Sequence, residues 1–344
     1  MKNKDNILDA VLVGCGNISR IWMEAINKIP ELRLVGLVDQ LKQRADELTN
    51  EFGLDLLTHH DLNSLLRDKQ PNVVFDCTPP KSRVKIAEIA FKAGCHLLTE
   101  KPLSSSKDDS RWMIALANQY QRVGATMQNH RYDAHLRELK AFLSSGEIGQ
   151  IVQCSSQFFV YSHFSDFRVQ MPHVLLMDMG IHTFDAARAL LSENPISVYC
   201  HEWNPQGSRF AHDAAAVAVF EFPSGITYMY QGNWSAHGLR TSWNSEWRIV
   251  GTHGSVYWDG ANTLKVQKLV DINNIDLGVV ECSVPFNAAH QHESGHLRAI
   301  KRFIQDIIKE EEPETSFKNN FPSLSMVLSC IESAQSKSPV KIEL

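Results

Sequence analysis

The chain has 344 residues, of which 43% are hydrophobic and 21% charged, a composition typical of ordinary globular proteins. Its formal net charge of -5 argues against a protein that binds nucleic acid or an anionic membrane surface. The length exceeds what one hydrophobic core usually holds, and no apolar run approaches the roughly 18 residues of a membrane span, so we expect two domains and no transmembrane helix.

The cysteine pattern and the N-terminal stretch both predict a cytoplasmic protein. The seven cysteines are odd in number, widely scattered and contain no CxxC pair, which is typical of reduced thiols rather than disulfide or zinc partners. The stretch "MKNKDNILDAVLVGCG" leads from a short apolar run into a glycine turn, and it lacks the small-residue cleavage site of a signal peptide.

The first 130 residues alternate short apolar runs with amphipathic stretches whose apolar residues lie three and four apart. Such alternation predicts right-handed crossovers and a doubly wound parallel sheet with helices on both faces, in a dinucleotide-binding domain over residues 1–130. The apolar runs lie at 10–14, 32–39, 72–78, 95–100 and 124–128, with a weaker one at 54–57.

The pattern changes after about residue 150, where one helical stretch is followed by several extended ones. Successive strands favour hairpins, so residues 131–344 are predicted to form an α+β domain with a mostly antiparallel sheet. The helical stretch covers 173–191, the extended runs cover 214–222, 226–234, 246–258 and 263–270, and two closing helices are expected at about 288–310 and 323–335.

The segment "VLVGCGNIS" (11–19) predicts a phosphate-binding turn between a strand and a helix. Gly14 allows a tight turn, Gly16 lets the backbone approach a pyrophosphate, and a helix beginning near Asn17 offers free N–H groups. The third position of the glycine pattern is Ser19, a small residue that affects helix packing more than phosphate contact. A plain strand–helix turn would also account for the pattern.

Asp39 ends the second apolar run, where a carboxylate can accept hydrogen bonds from the adenosine ribose hydroxyls. The same carboxylate would repel a 2′-phosphate, and Gln40 and Leu41, rather than an arginine, follow it. We therefore expect NAD rather than NADP. The alternative is that Asp39 only caps the helix that follows.

Two further motifs place ionisable side chains where chemistry could use them. Lys101 in "TEKPLS" follows the fifth strand, at the sheet edge where such folds bind ligands, although it could also be an ordinary loop lysine. Asp178, His182 and Asp185 are spaced i, i+4 and i+7, which predicts one helical face with a histidine able to act as a general base. A structural polar stripe or a metal pair would give the same spacing.

The glycine turn, "TEKPLS" (99–104) and "LLMDMGIHTFD" (175–185) occur together in the order and spacing of one family. The chain resembles the glucose–fructose oxidoreductase / inositol dehydrogenase / rhizopine catabolism family (Gfo/Idh/MocA) over nearly its whole length. The resemblance implies a Rossmann domain and a C-terminal domain with a large open sheet, through which a homodimer or homotetramer is expected. It also implies NAD(P)-dependent hydride transfer at a carbinol carbon of a sugar, sugar derivative or cyclitol.

The resemblance assigns roles residue by residue. It implies that the catalytic set is Lys101, Asp178 and His182, and that the cofactor is held by Gly14, Gly16, Asn17, Ile18, Asp39, Thr78, Pro79, Glu100 and Asn129. Candidate substrate-binding residues are Arg131, His163, Arg168 and His173. The chain departs from the family in "TPPKSR" (78–83), where relatives often have Asn and His and this chain has Pro80 and Arg83.

Two other functions remain open at this point. One is a glycosidase of the same family that uses transient oxidation by bound NAD, and the other is a non-catalytic dinucleotide-binding regulator.

The segment "HQHESGH" contains His290, His292 and His296 with Glu293, but it opens a helix in a region where the family binds no metal, so no metal site is expected.

Overall fold

The computed structural model of the chain describes residues 7–163, 167–282 and 294–344. These residues form two compact units. The first comprises residues 7–129 and 294–321, and the second comprises the described residues of 130–282 together with 322–344. None of the helices in the described part of the chain combines the length and the apolar character needed to cross a membrane.

The first unit is built on a six-stranded parallel sheet with the strand order β3-β2-β1-β4-β5-β6. Residues 10–13 of β1 and all of β4 are buried, as expected for central strands covered on both faces. The strands are β1 (Leu8–Val13), β2 (Leu32–Val38), β3 (Leu57–His59), β4 (Val73–Asp76), β5 (His96–Glu100) and β6 (Gly124–Met127).

Five helices follow these strands in turn, so the predicted α/β alternation is confirmed. They are α1 (Asn17–Ile26), α2 (Lys42–Glu51), α3 (Leu62–Lys69), α4 (Arg83–Lys92) and α5 (Lys107–Gln119). The weak run at 54–57 starts three residues before the third strand, which begins at the last residue of the run, Leu57. The preceding residues close helix α2, because Gly53 is left-handed and the Leu54 N–H donates to the Thr49 carbonyl at 3.0 Å.

The second unit is built on a nine-stranded sheet with the order β14-β13-β12-β11-β7-β10-β9-β8-β15. All neighbours are antiparallel except β7 and β10, so the expectation of a large, mostly antiparallel sheet is confirmed. The strands are β7 (Ile151–Phe159), β8 (Ser197–Trp203), β9 (Ala215–Glu221), β10 (Thr227–Asn233), β11 (Glu246–Gly251), β12 (Gly254–Trp258), β13 (Leu264–Leu269), β14 (Val279–Cys282) and β15 (Val340–Lys341).

The predicted run at 246–258 is two strands, β11 and β12, which pair antiparallel around a tight turn at residues 252–253. The helices of this unit are α6 (Ala134–Ser144) and α7 (Ile181–Leu191). The helix expected over 173–191 is not uniform. Leu175–Gly180 forms a π-helical segment that continues directly into α7.

Helix α8 (Gly295–Lys309) lies in the first unit, whereas the sequence places everything from residue 131 in a single second domain. Its buried face includes Ile300 and Phe303, and the helix packs against α1 and β6. The last helix, α9 (Phe317–Ser336), begins among residues of the first unit and ends among residues of the second.

Candidate functional site

The turn after β1 has two glycines with different surroundings. Gly14 has φ +90°, and a Cβ there would lie 2.9 Å from the Cys77 carbonyl carbon and 3.0 Å from the Thr78 nitrogen. A Cβ on Gly16 would meet no atom within 4 Å. Gly16 also precedes helix α1 without a side-chain cap, and no acidic residue occupies the first turn. The helix N-terminus therefore offers backbone N–H groups and a positive dipole end beside open space, as a pyrophosphate requires.

Asp39 joins the glycine turn to the end of β2. Its Oδ2 accepts a hydrogen bond from the Cys15 N–H and its Oδ1 accepts one from the Leu41 N–H, both at 2.9 Å. Burial and then the Asp39 charge raise the pKa of the Cys15 thiol to about 12. Each carboxylate oxygen keeps acceptor capacity after these bonds, so Asp39 can also accept from a ribose hydroxyl.

The carboxyl ends of β4 and β5 are tied together by the fully buried carboxylate of Asp76. Its Oδ1 accepts from the Thr78 N–H at 2.8 Å and the Thr78 hydroxyl at 2.6 Å, and its Oδ2 accepts from the Thr99 hydroxyl at 2.9 Å. Burial raises the pKa of Asp76, against the opposing effects of the Arg83 charge and these hydrogen bonds. Pro79, next in the chain, is exposed at this edge of the sheet.

Arg83, one of the two departures noted in the "TPPKSR" segment, is buried beneath the same edge. Its Nη2 donates to the Lys101 carbonyl at 3.0 Å and to the Thr78 carbonyl at 3.3 Å. Burial lowers the pKa of the guanidinium, while the charges of Asp76 and Glu100 counteract that effect. Arg83 thus fixes the backbones of the two loops that carry the predicted residues Thr78 and Lys101.

Glu100 is a buried carboxylate with three donors in the first unit. Its Oε1 accepts from the indole N–H of Trp22 at 2.7 Å and lies 3.5 Å from His296 Nε2, and its Oε2 accepts from the Lys101 N–H at 3.0 Å. Burial alone would raise the pKa of Glu100, but the hydrogen bonds from His296 and Trp22 and the nearby positive charges hold it below its usual value. Glu100 therefore lies against the backbone of Lys101.

Several residues around this edge were not identified from the sequence as site residues. Trp22 and His296 belong to helices far from Glu100 in the chain, and no spacing motif connects them. Of the histidine-rich segment, His290, His292 and Glu293 lie outside the described residues, whereas His296 faces Glu100. Among the remaining cofactor candidates, Asn17 is exposed and Ile18 and Asn129 are half-buried.

In the second unit, Asp178 and His182 lie on the π-helical segment and on α7 respectively, and both are buried. Asp178 Oδ2 accepts a hydrogen bond from Arg168 Nε at 2.8 Å. The ring of His182 stacks on the ring of His130 with centroids 4.2 Å apart. A π-helical turn contains more residues than an α-turn, so side chains across the junction do not follow the i, i+4 spacing of an ideal helix.

Asp185 belongs to a separate polar cluster. It accepts bidentate hydrogen bonds from Arg131 Nε and Nη2, both at 2.8 Å, and another from the Ser323 hydroxyl at 2.7 Å. Arg131 and Asp185 are both buried, so this ion pair joins the segment before α6 to helix α7. The guanidinium of Arg131, a predicted substrate contact, is used in that pair.

The other three substrate candidates lie in the second unit with different surroundings. His163 is exposed, and its Nδ1 accepts from Arg209 at 3.0 Å. Arg168 pairs with Asp178 and lies over the Phe167 ring, with its guanidinium carbon 4.8 Å from the ring centroid. His173 Nδ1 lies 2.7 Å from Glu202 Oε2.

Two family models match the chain in succession. The model for an oxidoreductase family with an NAD-binding Rossmann fold matches residues 8–128, and the model for the GFO/IDH/MocA C-terminal domain matches residues 136–257. The chain belongs to the GFO/IDH/MocA family. Its first unit contains the NAD-binding Rossmann domain of that family, and the prediction of an oxidoreductase of this family is confirmed.

Individual relatives match nearly the whole chain at low identity. It is 22% identical to myo-inositol 2-dehydrogenase of Thermotoga maritima and 21% identical to 1,5-anhydro-D-fructose reductase of Ensifer adhaerens, in each case over 96% of this chain and 98% of the relative. A crystal structure of an oxidoreductase from Agrobacterium radiobacter, in complex with NAD+, L-tartaric acid and magnesium, has the same fold. Its TM-score is 0.87 at 19% identity, covering 97% of this chain and 98% of that one.

Proposed function

We propose that this GFO/IDH/MocA protein is an NAD-dependent dehydrogenase that transfers a hydride between nicotinamide and a carbinol carbon of a sugar, sugar derivative or cyclitol. The observation that carries the proposal is the cofactor edge of the first unit. There, an uncapped helix N-terminus, the open position at Gly16 and the carboxylate of Asp39 occur together in a family of NAD-binding oxidoreductases. The substrate class is supported by the inositol and anhydrofructose enzymes among the relatives.

The cofactor preference for NAD over NADP is supported by the charge at the end of β2. A ribose with free hydroxyls can donate to Asp39, whereas a 2′-phosphate would be repelled by the carboxylate. The nearest basic side chain in sequence, Lys42, is paired with Asp46 at 2.8 Å. We assign Gly14, Gly16 and the helix N-terminus at Asn17 and Ile18 to the pyrophosphate. Thr78, Pro79, Glu100 and Asn129 are assigned to the nicotinamide half.

The residue roles follow from side-chain chemistry. When bound, nicotinamide supplies the redox chemistry by accepting the hydride of the carbinol carbon. His182 is proposed to take the hydroxyl proton, Lys101 to stabilise the developing alkoxide with its ammonium group, and Asp178 to orient the reacting groups. Because Arg168 bonds to Asp178, we assign Arg168 to fixing that carboxylate. His163 stays a candidate for contact with substrate hydroxyls.

Two properties of the working protein belong to the same proposal. We infer a cytoplasmic location, because all seven cysteines are described and are free thiols, most of them buried. We also infer a homodimer or homotetramer that associates through the nine-stranded sheet.

The test is a panel of sugars, cyclitols, amino sugars and chromogenic glycosides offered to the purified protein with NAD or NADP, monitored by the absorbance of reduced nicotinamide. We expect reduction of NAD with at least one sugar or cyclitol, with kcat/KM at least about tenfold higher than with NADP. Glycoside cleavage without net formation of NADH would instead identify the redox-assisted glycosidase. Cofactor binding with no turnover of any panel member would favour a regulator.

A further inference from the structure

Three ionisable side chains outside the proposed catalytic set meet at one end of the large sheet. His173 lies just before the π-helical segment, Glu202 lies near the end of β8, and Asp213 lies just before β9. Ligand atoms of the three side chains all lie within 4.8 Å of one another. The β8–β9 hairpin explains the meeting of the two carboxylates, because Trp203 pairs with Ala215 at its base.

Glu202 shows a feature that an ordinary surface cluster lacks. Its side chain is only 2% exposed, on the covered face of the sheet. Its Oε2 lies 2.7 Å from His173 Nδ1, but its Oε1 is buried and has no hydrogen-bond partner among the described residues. A buried carboxylate oxygen without a partner costs free energy, so Oε1 is an acceptor available to a cation.

His173 shows a second unusual feature, in the backbone. Its φ of +53° lies in the left-handed region, which is uncommon for residues other than glycine. The conformation directs the imidazole toward Glu202, and the His173 carbonyl accepts the Met177 N–H at 2.9 Å. Strained backbone of this kind persists where the surroundings impose it, and it is common at binding sites.

We propose that His173, Glu202 and Asp213 form a binding site for one divalent transition-metal ion, with zinc as the preferred ion. One imidazole nitrogen and two carboxylates form a mixed donor set that suits zinc and leaves a coordination position for water. Magnesium is disfavoured because it prefers oxygen ligands in a nearly ideal octahedron. The two carboxylates and a neutral imidazole carry a net charge of −2, which a divalent cation balances.

Zinc binding requires the donor atoms to move. Two zinc bonds of about 2.0–2.2 Å at a tetrahedral angle place their donor atoms about 3.4 Å apart. The donors that lie up to 4.8 Å apart must therefore approach each other, and the 2.7 Å contact between His173 Nδ1 and Glu202 Oε2 must lengthen. Asp213 is half-buried and makes no hydrogen bond within the described part of the chain, so its side chain can rotate toward the other two. Coordination through Nδ1 uses the lone pair of that nitrogen, so the neutral imidazole of His173 carries its one ring proton on Nε2 when the metal is bound.

The site would fix the start of the helix that carries Asp178. His173 precedes the π-helical segment by two residues, and Arg168, the partner of Asp178, precedes His173. The segment between them is held to the β8–β9 hairpin by the Ala211 N–H, which donates to the Val169 carbonyl at 2.9 Å. This proposal departs from the sequence prediction of no metal site, which considered only the 290–296 segment and the Asp178–His182 spacing.

The experiment is calorimetric titration of the full chain, freed of any histidine tag and of metal by chelator, with zinc chloride and with magnesium chloride. We expect one zinc ion per chain and an affinity for magnesium at least about 100-fold weaker. Asp213→Asn and Glu202→Gln should each weaken zinc binding at least about tenfold. His173→Asn should do the same while keeping a residue that tolerates the left-handed backbone.

The matched control is Asp68→Asn, which breaks the exposed contact between Asp68 and His59 at 3.6 Å. It should leave zinc affinity unchanged. Zinc should also raise the thermal midpoint of the wild type but not that of Asp213→Asn. Because Asp213 is half-buried, this variant tests the proposal even if Glu202→Gln fails to fold. Absence of saturable zinc binding, or full affinity in Asp213→Asn, would overturn the proposal. Neither result depends on which substrate the enzyme uses.

Discussion

Buried side chains form hydrogen bonds with both the backbone N–H and the backbone carbonyl of Lys101. Its N–H donates to Glu100 Oε2 at 3.0 Å, and its carbonyl accepts from Arg83 Nη2 at 3.0 Å. Both partners are buried, and Glu100 is itself bonded by Trp22. Positioning of this kind limits where the ammonium group can reach, which is what a group that stabilises a developing charge requires.

Lys101→Ala tests this role directly. Because the proposed contribution of the ammonium is made in the transition state, turnover should fall by at least about 100-fold while NAD affinity changes by less than about threefold. The measurement pairs steady-state rates on a substrate from the panel with fluorescence titration of NADH. Lys81→Ala, an exposed lysine of the neighbouring loop, is the control and should keep full activity. Lost NADH binding with preserved turnover would contradict the assignment.

At the scale of single residues, the sequence identifies groups within motifs but not their partners. Gly14, Asp39 and Lys101 could be located because each follows an apolar run at the carboxyl end of a predicted strand. The partners Trp22, Arg83 and His296 could not be located, since only the fold brings them together. The same limit applies to Arg131, a candidate for substrate contact whose ion pair with Asp185 the sequence did not indicate.

At the scale of elements, the glycine turn joins a strand to a helix as its sequence indicates, whereas the predicted helix with Asp178 and His182 includes a π-helical segment. The turn is local, so the spacing of Gly14 and Gly16 determines most of its geometry. The π-helical segment depends on packing, because a π-bulge cannot be recognised from apolar spacing that still appears helical. The 54–57 run was misplaced because the residues that close α2 are themselves apolar.

Alanine substitutions at Gly14 and Gly16 test the structure and the function of the turn between β1 and α1. In Gly14→Ala, the new Cβ meets rigid backbone of Cys77 and Thr78 at a φ of +90°, so the free energy of unfolding should fall by at least about 2 kcal/mol. In Gly16→Ala, the Cβ enters open space at a φ of −84°, so stability should change by less than about 0.5 kcal/mol.

The variant with nearly unchanged stability, Gly16→Ala, is the one in which we expect NADH affinity to fall. The Gly16→Ala methyl group would occupy the space assigned to the pyrophosphate and should weaken NADH binding at least about tenfold without unfolding the protein. Chemical denaturation and fluorescence titration of the same samples give both quantities. Unchanged NADH affinity in a stable Gly16→Ala protein would remove the turn from the cofactor site.

At the scale of the whole chain, the order of apolar runs is sufficient to predict both sheets. Runs that alternate with helical stretches predict the parallel sheet, and successive extended runs predict the mostly antiparallel one. It could not assign residues 294–321 to the first unit. An amphipathic helix such as α8 shows from sequence that one face is buried, but not which neighbour buries it. The sequence did not reveal the cluster of His173, Glu202 and Asp213 for a related reason. A hairpin and a left-handed loop residue bring together side chains that share no motif.

The outer face of the large sheet has one apolar row where β8, β9 and β10 pair. Strand β9 alternates, with Ala218 and Phe220 buried on one face and Val217 and Val219 exposed on the other. Val219 pairs with Tyr199 of β8 on one side and with Met229 of β10 on the other. Tyr199, Val217 and Val219 are between 36% and 46% exposed. An exposed apolar row that crosses three paired strands is suited to contact with a second copy of the chain.

Val219→Glu should therefore change the assembly and leave the fold intact. We expect the wild type to have two or four times the chain mass by light scattering, and the variant to dissociate, because a buried, unpaired carboxylate at the centre of an interface is costly. Leu41→Glu, a substitution at an exposed leucine of the first unit, should leave the mass unchanged. A monomeric wild type, or an unaltered mass in Val219→Glu, would show that the sheet face is not the interface. In that case the exposed valines would be no more than ordinary surface residues.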